Sequence, residues 1–191
     1  MRKVLKAYTS LAHYVNKDIK VIKGTTDWCS YPTLCQVEVP QLVTEQGEQA
    51  FLDSVARQLP ADKQELVDII PDFMWSFLHE IGHIQCKHNV DNYVIRGFVN
   101  IISRLGWEKM ANKIYFNLKE EKQATKWAID FVMLEPQAVE DFTKKIIKRY
   151  KKYYKKNILE EFKNEKHQDF VSSDGSHYAR WRFRCLYNRS C

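Results

Sequence analysis

The chain has 191 residues, 45% hydrophobic and 28% charged, with a formal net charge of +6. This composition predicts one globular domain that is long enough to bury a real core. No run of 18 apolar residues occurs, so we expect no contact with a membrane, and the N-terminal region lacks the apolar core and cleavage site of a secretory signal.

The first 70 residues predict helices on either side of one strand. Residues 1–20 repeat apolar side chains at intervals of three and four, as an amphipathic helix does. Residues 34–39 alternate like a strand, which Pro40 ends. A helical pattern follows over residues 45–57, and residues 61–70 predict a short helix.

The segment of residues 71–88 contains the pattern HEIGH. Positions four apart lie on one face of a helix, so His79 and His83 could offer two imidazoles to one metal ion. Glu80 is rotated by one step and would lie beside the ion without binding it, where it can take a proton from a metal-bound water. This is the HExxH arrangement of zinc peptidases. The alternative is two histidines that fell at this spacing by accident.

Helical patterns continue after this motif. Residues 91–105 predict an amphipathic helix that ends at Gly106, and the sequence then runs helical from residue 107 to about residue 134. The fold class expected from these elements is α+β, mainly helical, with a small antiparallel or mixed sheet before the HEIGH helix.

A third metal ligand is expected from the helix around residue 121. A catalytic zinc usually has three protein ligands and keeps one position for water. Glu121 shares one helical face with Ala124 and Ala128, and these small residues would let the two helices approach closely. Glu120 is a rival ligand, but its side chain would point about 100° away from the alanine face.

These two motifs together resemble the motif pair of ImmA/IrrE-type metallopeptidases, gluzincin-like enzymes of bacteria, phages and integrative elements. HEIGH matches the HExGH element of that family, and residues 121–128, EKQATKWA, match its ExEAxxFA element in part. The resemblance covers about residues 73–134.

The resemblance implies a zincin-like domain in which His79, His83 and Glu121 bind Zn²⁺ and Glu80 is the general base. It also implies a zinc-dependent endopeptidase that cleaves a specific protein substrate, such as a transcriptional repressor, of bacterial, phage or mobile-element origin. Zinc peptidases of this type commonly line the substrate cleft with an edge strand. Residues 34–39 could therefore pair with a bound peptide, or form an ordinary sheet edge.

Two positions depart from the family pattern. Gln123 stands where the family often has a second Glu, and Thr125 stands where Asp or Asn commonly supports a zinc-binding His. Loss of such support typically weakens metal binding or activity by about 10–100-fold, so slow turnover is expected.

The C-terminal part of the chain is basic. Residues 139–191 carry 14 Lys and Arg against 7 Asp and Glu, whereas residues 1–138 carry 16 against 17. We expect residues 1–138 to form the zincin-like domain and residues 139–191 to be a basic helical extension packed on it. An aromatic stripe over residues 141–159 predicts a packed helix with a solvated basic back. That basic face could also contact an acidic protein or nucleic-acid phosphate.

The last segment, SSDGSHYARWRFRC, weakly resembles a C-terminal His-then-Arg element near the active site of some gluzincins. His177 would then act in catalysis by donating to the oxyanion of the tetrahedral intermediate, braced by Arg180 or Arg182. The alternative is that His177 is a loop residue after the turn at Asp174 and Gly175.

Cysteine usage indicates the compartment. The five cysteines cannot all pair within one chain, and their scatter favours a reducing environment, so we expect a cytoplasmic protein.

Two other functions remain open. One is a non-catalytic zincin-fold protein that binds and inhibits a protein or a protein–nucleic-acid complex. The other is a basic nucleic-acid-binding module in which HEIGH is accidental.

Overall fold

The computed structural model describes residues 1–25, 27–40, 45–88 and 93–165. This part of the chain is mainly helical with one small mixed sheet, which confirms the predicted α+β class. In chain order the elements are α1 (Arg2–Val15), β1 (Lys20–Lys23), β2 (Cys29–Tyr31), β3 (Gln36–Val39), α2 (Glu45–Gln58), α3 (Leu66–Ile69), α4 (Asp72–Gln85), α5 (Tyr93–Arg104), α6 (Glu108–Tyr115), α7 (Lys119–Leu134) and α8 (Pro136–Glu165).

The chain divides into two compact units, Met1–Tyr153 and Tyr154–Cys191. Only the first unit is described in side-chain detail, and it contains the hydrophobic core that the described residues form. The predicted division after residue 138 stays a prediction. In the described part of the chain, no helix combines the length and the apolar character needed to cross a membrane.

Helix α1 is shorter than the predicted helix over residues 1–20. Asn16 takes an extended conformation after Val15, and its side-chain oxygen accepts a hydrogen bond from the Asp18 amide at 2.9 Å. An Asn side chain that binds the backbone in this way competes with helical hydrogen bonds, so the helix ends there. The buried face of α1 packs through Tyr8, whose ring centroid lies 4.7 Å from that of Phe77 in α4.

The sheet corrects the expected position of the strand over residues 34–39. Strand β3 lies in the centre of the sheet, parallel to β1 on one side and antiparallel to β2 on the other. Both predictions of an edge strand there are therefore wrong. The alternation of apolar and polar residues correctly indicated which face of the strand is buried, since Val37 and Val39 are fully buried. It does not indicate whether a strand pairs with one neighbouring strand or with two.

The predicted helix over residues 107–134 is two helices, α6 and α7. The Asn117 side chain donates to the carbonyl of Lys113 at 2.6 Å, and Leu118 is extended (φ −58°, ψ 145°) immediately before α7. As at the end of α1, an Asn side chain occupies a backbone group that a longer helix would need.

Helix α8 packs onto the core through its apolar side up to Tyr153. Val139 and Ile146 are buried in the core, and other apolar side chains pack against it with partial burial: Phe142, Tyr150 and Tyr153. Lys144, Lys148 and Lys151 are exposed. This arrangement agrees with the predicted aromatic stripe and solvated basic face, as far as the side chains are described.

Candidate metal centre

Two helices bring three ligand-type side chains together. The Nε2 atoms of His79 and His83 lie 3.1 Å apart. The Oε2 atom of Glu121 lies 3.1 Å from the first and 3.3 Å from the second. All three side chains are buried, with Glu121 only 1% exposed. Within the described residues this group could hold a metal ion, and the rival Glu120 does not belong to it.

The close approach of α4 and α7 depends on Gly82, the fourth residue of HEIGH. A Cβ atom added to Gly82 would lie 2.6 Å from the carbonyl oxygen of Ala124 and 3.0 Å from its Cα. Ala124 and Ala128 of α7 are both fully buried. Glu121 precedes Ala124 by nearly one helical turn, so the contact of Gly82 with Ala124 also places Glu121 next to the two histidines. The expected alanine face is therefore the face on which the helices meet.

The hydrogen bond at Nδ1 of His79 determines that this ring nitrogen carries a proton. Nδ1 of His79 lies 3.1 Å from the Thr125 hydroxyl oxygen, and this hydroxyl donates its single proton to the carbonyl of Glu121 at 2.9 Å. The Thr125 oxygen can therefore only accept from Nδ1–H, which leaves Nε2, the atom next to Glu121, as the nitrogen of His79 that can bind a metal ion. Thr125 therefore gives His79 a hydrogen-bond partner at the position where the family pattern has Asp or Asn, and the expected slow turnover stays a prediction.

The second nitrogen of His83 has a different partner. Its Nδ1 lies 2.9 Å from Nδ1 of His88, and Nε2 of His88 lies 3.0 Å from the side-chain oxygen of Gln123. Burial lowers the pKa of His88 and so favours its neutral ring, while the hydrogen bond to Gln123 opposes this shift. Gln123, the other departure from the family pattern, thus also contributes to the surroundings of the site.

The electrostatics of the triangle call for a cation. Burial on its own would raise the pKa of Glu121, but hydrogen bonds to His79 and His83 and their charges hold that pKa well below its ordinary value. The carboxylate is therefore ionised at neutral pH, and a buried negative charge is costly unless a cation accompanies it. Protons on the imidazoles can supply that positive charge, and a metal ion that displaces them can supply it as well.

The dimensions of the triangle fit zinc. Tetrahedral zinc with N and O ligands at about 2.0–2.1 Å has ligand atoms about 3.3–3.4 Å apart. The three observed separations are 3.1, 3.1 and 3.3 Å. Two histidines and one glutamate are also a known donor set of catalytic zinc sites, in which a fourth position stays open for water.

The surroundings of the triangle differ from one side to the other. The ring of Phe51 in α2 packs edge-on against His79, with centroids 5.0 Å apart, and it also contacts Phe116. Glu80 follows His79 on α4 and is partly exposed. The site therefore has an apolar wall at His79, and the residue that follows His79 on α4 carries a partly exposed carboxylate.

Sequence reasoning missed two neighbours of the triangle, Phe51 and His88. Phe51 had no signal beyond the apolar period of α2. His88 was visible as a nearby histidine, but nothing in the sequence placed it against His83. The predicted catalytic His177 and its partners Arg180 and Arg182 lie outside the described residues.

Comparisons of the chain with protein-family models, with curated proteins and with solved structures find no match. The function must therefore be inferred from the chemistry of the site.

Replacement of Thr125 by Val tests the hydrogen bond to His79. The substitution keeps the shape of the side chain but removes the acceptor for Nδ1–H, so we expect zinc affinity to fall by about 10–100-fold. Competition with a chromophoric chelator measures this change. Thr125→Ser, which keeps the hydroxyl, should bind zinc within a few-fold of the wild type. Equal affinities for the Val and Ser variants would refute the role of this hydroxyl.

Proposed function

We propose that the chain is a zinc-dependent endopeptidase of the ImmA/IrrE type that cleaves a specific protein substrate, such as a transcriptional repressor. The observation that carries this proposal is the buried triangle of His79, His83 and Glu121 with sides of 3.1–3.3 Å, next to the partly exposed Glu80. A structural zinc site usually has four protein ligands, whereas three ligands and an adjacent carboxylate suit catalysis.

A bound zinc ion and Glu80 would have different roles in peptide hydrolysis. A bound Zn²⁺ would polarise the scissile carbonyl and lower the pKa of a water molecule to near neutrality. Glu80 lies between the two histidines in sequence and is rotated about 100° from His79, which would place its carboxylate beside a bound ion without making it a ligand. There it accepts a proton from the attacking water and passes it to the leaving amine.

Other features support the proposal without depending on the substrate. Thr125 and His88 each occupy the second nitrogen of one imidazole, an arrangement that is typical of histidines that bind metals. The three described cysteines, Cys29, Cys35 and Cys86, form no disulfide with one another, in keeping with the proposed cytoplasmic location. Cleavage of a repressor is an analogy with the resembled family, and the repressor would be the protein partner.

The decisive experiment compares the wild type with Glu80→Gln. The Gln side chain has nearly the same volume but cannot accept the proton, so we expect peptide cleavage to fall by about 10²–10⁴-fold while one zinc per chain is retained. Zinc is measured by elemental analysis of the purified protein. The substrate is sought by comparing the cleaved proteins of cells that express each form.

Glu120→Gln is the matched control, because it makes the same chemical change near the site but outside the triangle. It should keep both zinc and cleavage. If Glu80→Gln kept the full biological effect with zinc bound, the peptidase proposal would fail and a non-catalytic inhibitor would be favoured. Absence of stoichiometric zinc from the wild type would instead favour the basic nucleic-acid-binding module.

A further inference from the structure

The C-terminus of α4 turns back so that His88 reaches His83. The amide of Lys87 donates to the carbonyl of Ile84 at 3.1 Å, and the amide of His88 donates to the carbonyl of His83 at 3.1 Å. These two bonds form a Schellman turn, in which one residue adopts the left-handed conformation. That residue is Lys87, with φ +52°. Glycine would adopt this conformation more easily, so the turn is held by its surroundings.

The hydrogen bonds that follow from this turn define the proton positions on both rings. The side-chain oxygen of Gln123 only accepts, so Nε2 of His88 carries a proton. Nδ1 of a neutral His88 is then an acceptor, and the contact of 2.9 Å requires a proton on Nδ1 of His83. Nε2, the atom that faces Glu121, is therefore the nitrogen of His83 that is left for a metal ion.

We propose that His88, held by Gln123, is a positioning residue that fixes the tautomer and ring orientation of His83 for metal binding. This inference rests on the proposed zinc site, but its first step, the tautomer of His83, is a property of the metal-free protein. In the described part of the chain, the side-chain hydrogen bonds of His88 go to Nδ1 of His83 and to Gln123, and neither of these is one of the three ligand atoms that would face the metal. His88 would act through the ring of His83 alone.

Two variants of His88 separate a hydrogen-bonding role from simple packing. The Oδ1 atom of Asn can stand where Nδ1 of His stands, so His88→Asn keeps an acceptor for His83, whereas His88→Ala removes it. Long-range ¹H–¹⁵N spectra of the full-length, metal-free protein at neutral pH report which nitrogen of His83 carries the proton. We expect Nδ1–H in the wild type and in His88→Asn, and a shift toward Nε2–H in His88→Ala.

Zinc affinity provides the second readout. We expect the dissociation constant for Zn²⁺ to rise about 10–100-fold in His88→Ala and to remain within a few-fold of the wild type in His88→Asn. His13→Ala, which removes an exposed histidine of α1, is the control and should leave zinc affinity unchanged. An unchanged tautomer of His83 in His88→Ala would overturn the proposal, and so would a changed tautomer with zinc affinity within twofold of the wild type.

The two readouts also distinguish failure of this inference from failure of the proposed function. If the wild type bound no zinc but the spectra changed as expected, the zinc site and the enzyme proposal would be lost, and only the control of the His83 tautomer by His88 would stand. If zinc bound tightly to the wild type, to His88→Asn and to His88→Ala alike, the positioning role would be lost and the zinc site would stand. A loss of affinity that is equal in the Asn and Ala variants would also overturn it, since the retained acceptor would then be irrelevant.

Discussion

Replacement of Glu121 by Gln is expected to abolish stoichiometric zinc binding. The substitution removes the only carboxylate of the triangle, and an amide of the same size would direct either a weaker neutral oxygen or an N–H group at the two imidazoles. Loss of a hydrogen bond to a metal-binding histidine lowers metal affinity by about 10–100-fold. Loss of a metal ligand should lower it further, so we expect zinc affinity to fall by more than about 100-fold. Chelator competition and elemental analysis of the purified variant measure this loss.

Glu120→Gln controls for this experiment, because Glu120 is the neighbouring acid in the first turn of α7 and lies outside the triangle. It should bind zinc as the wild type does. The pair therefore decides between the two candidate ligands that the sequence left open. Zinc binding that survives in Glu121→Gln and is lost in Glu120→Gln would contradict the site described above.

Replacement of Gly82 by Ala is expected to damage both stability and the metal site. The added methyl would lie 2.6 Å from the Ala124 carbonyl oxygen, too close for any carbon atom, so α7 must move away from α4. Overpacking of this kind costs about 1–3 kcal/mol, more than the ~1 kcal/mol that Ala contributes to helix propensity. Because Glu121 moves with α7, zinc affinity should fall as well. Urea unfolding of the metal-free protein and chelator competition measure the two effects.

Gly97 in α5 offers a control of opposite sign. A Cβ atom at Gly97 meets nothing within 4 Å, and the residue is exposed, so Gly97→Ala should stabilise the protein by about 0.5–1 kcal/mol through helix propensity alone. Excess zinc should raise the melting temperature of the wild type and of Gly97→Ala much more than that of Gly82→Ala. If Gly82→Ala and Gly97→Ala were equally stable and bound zinc equally, the close contact of α4 with α7 would be refuted.

Several features could be predicted because they depend on one element alone. The spacing of His79 and His83 places both rings on the same side wherever the helix lies, since the helical rotation is fixed by backbone geometry. The same rotation separates Glu121 from Glu120 and puts it on the alanine face. The buried apolar face of α1 followed in the same way from the apolar period.

The positions at which two helices end were not predicted correctly. Asn16 and Asn117 ended helices that the apolar period alone would have extended. In both cases the period reports which face is buried, while the end is decided by a side chain that binds the backbone. Lys87 is a related case, because a left-handed turn is usually marked by glycine and here it is not.

The sequence by itself determined the HEIGH helix, the carboxylate of Glu80 beside it and the helical face that carries Glu121. Only the tertiary structure decided that Thr125 and His88 bind the outer nitrogens of the two histidines, and that β3 is a central strand. Periodicity records what a residue shares with its own helix or strand. Which atoms of two separate elements come within 3 Å depends on their packing, and at this site that packing is set by the absence of a side chain at Gly82.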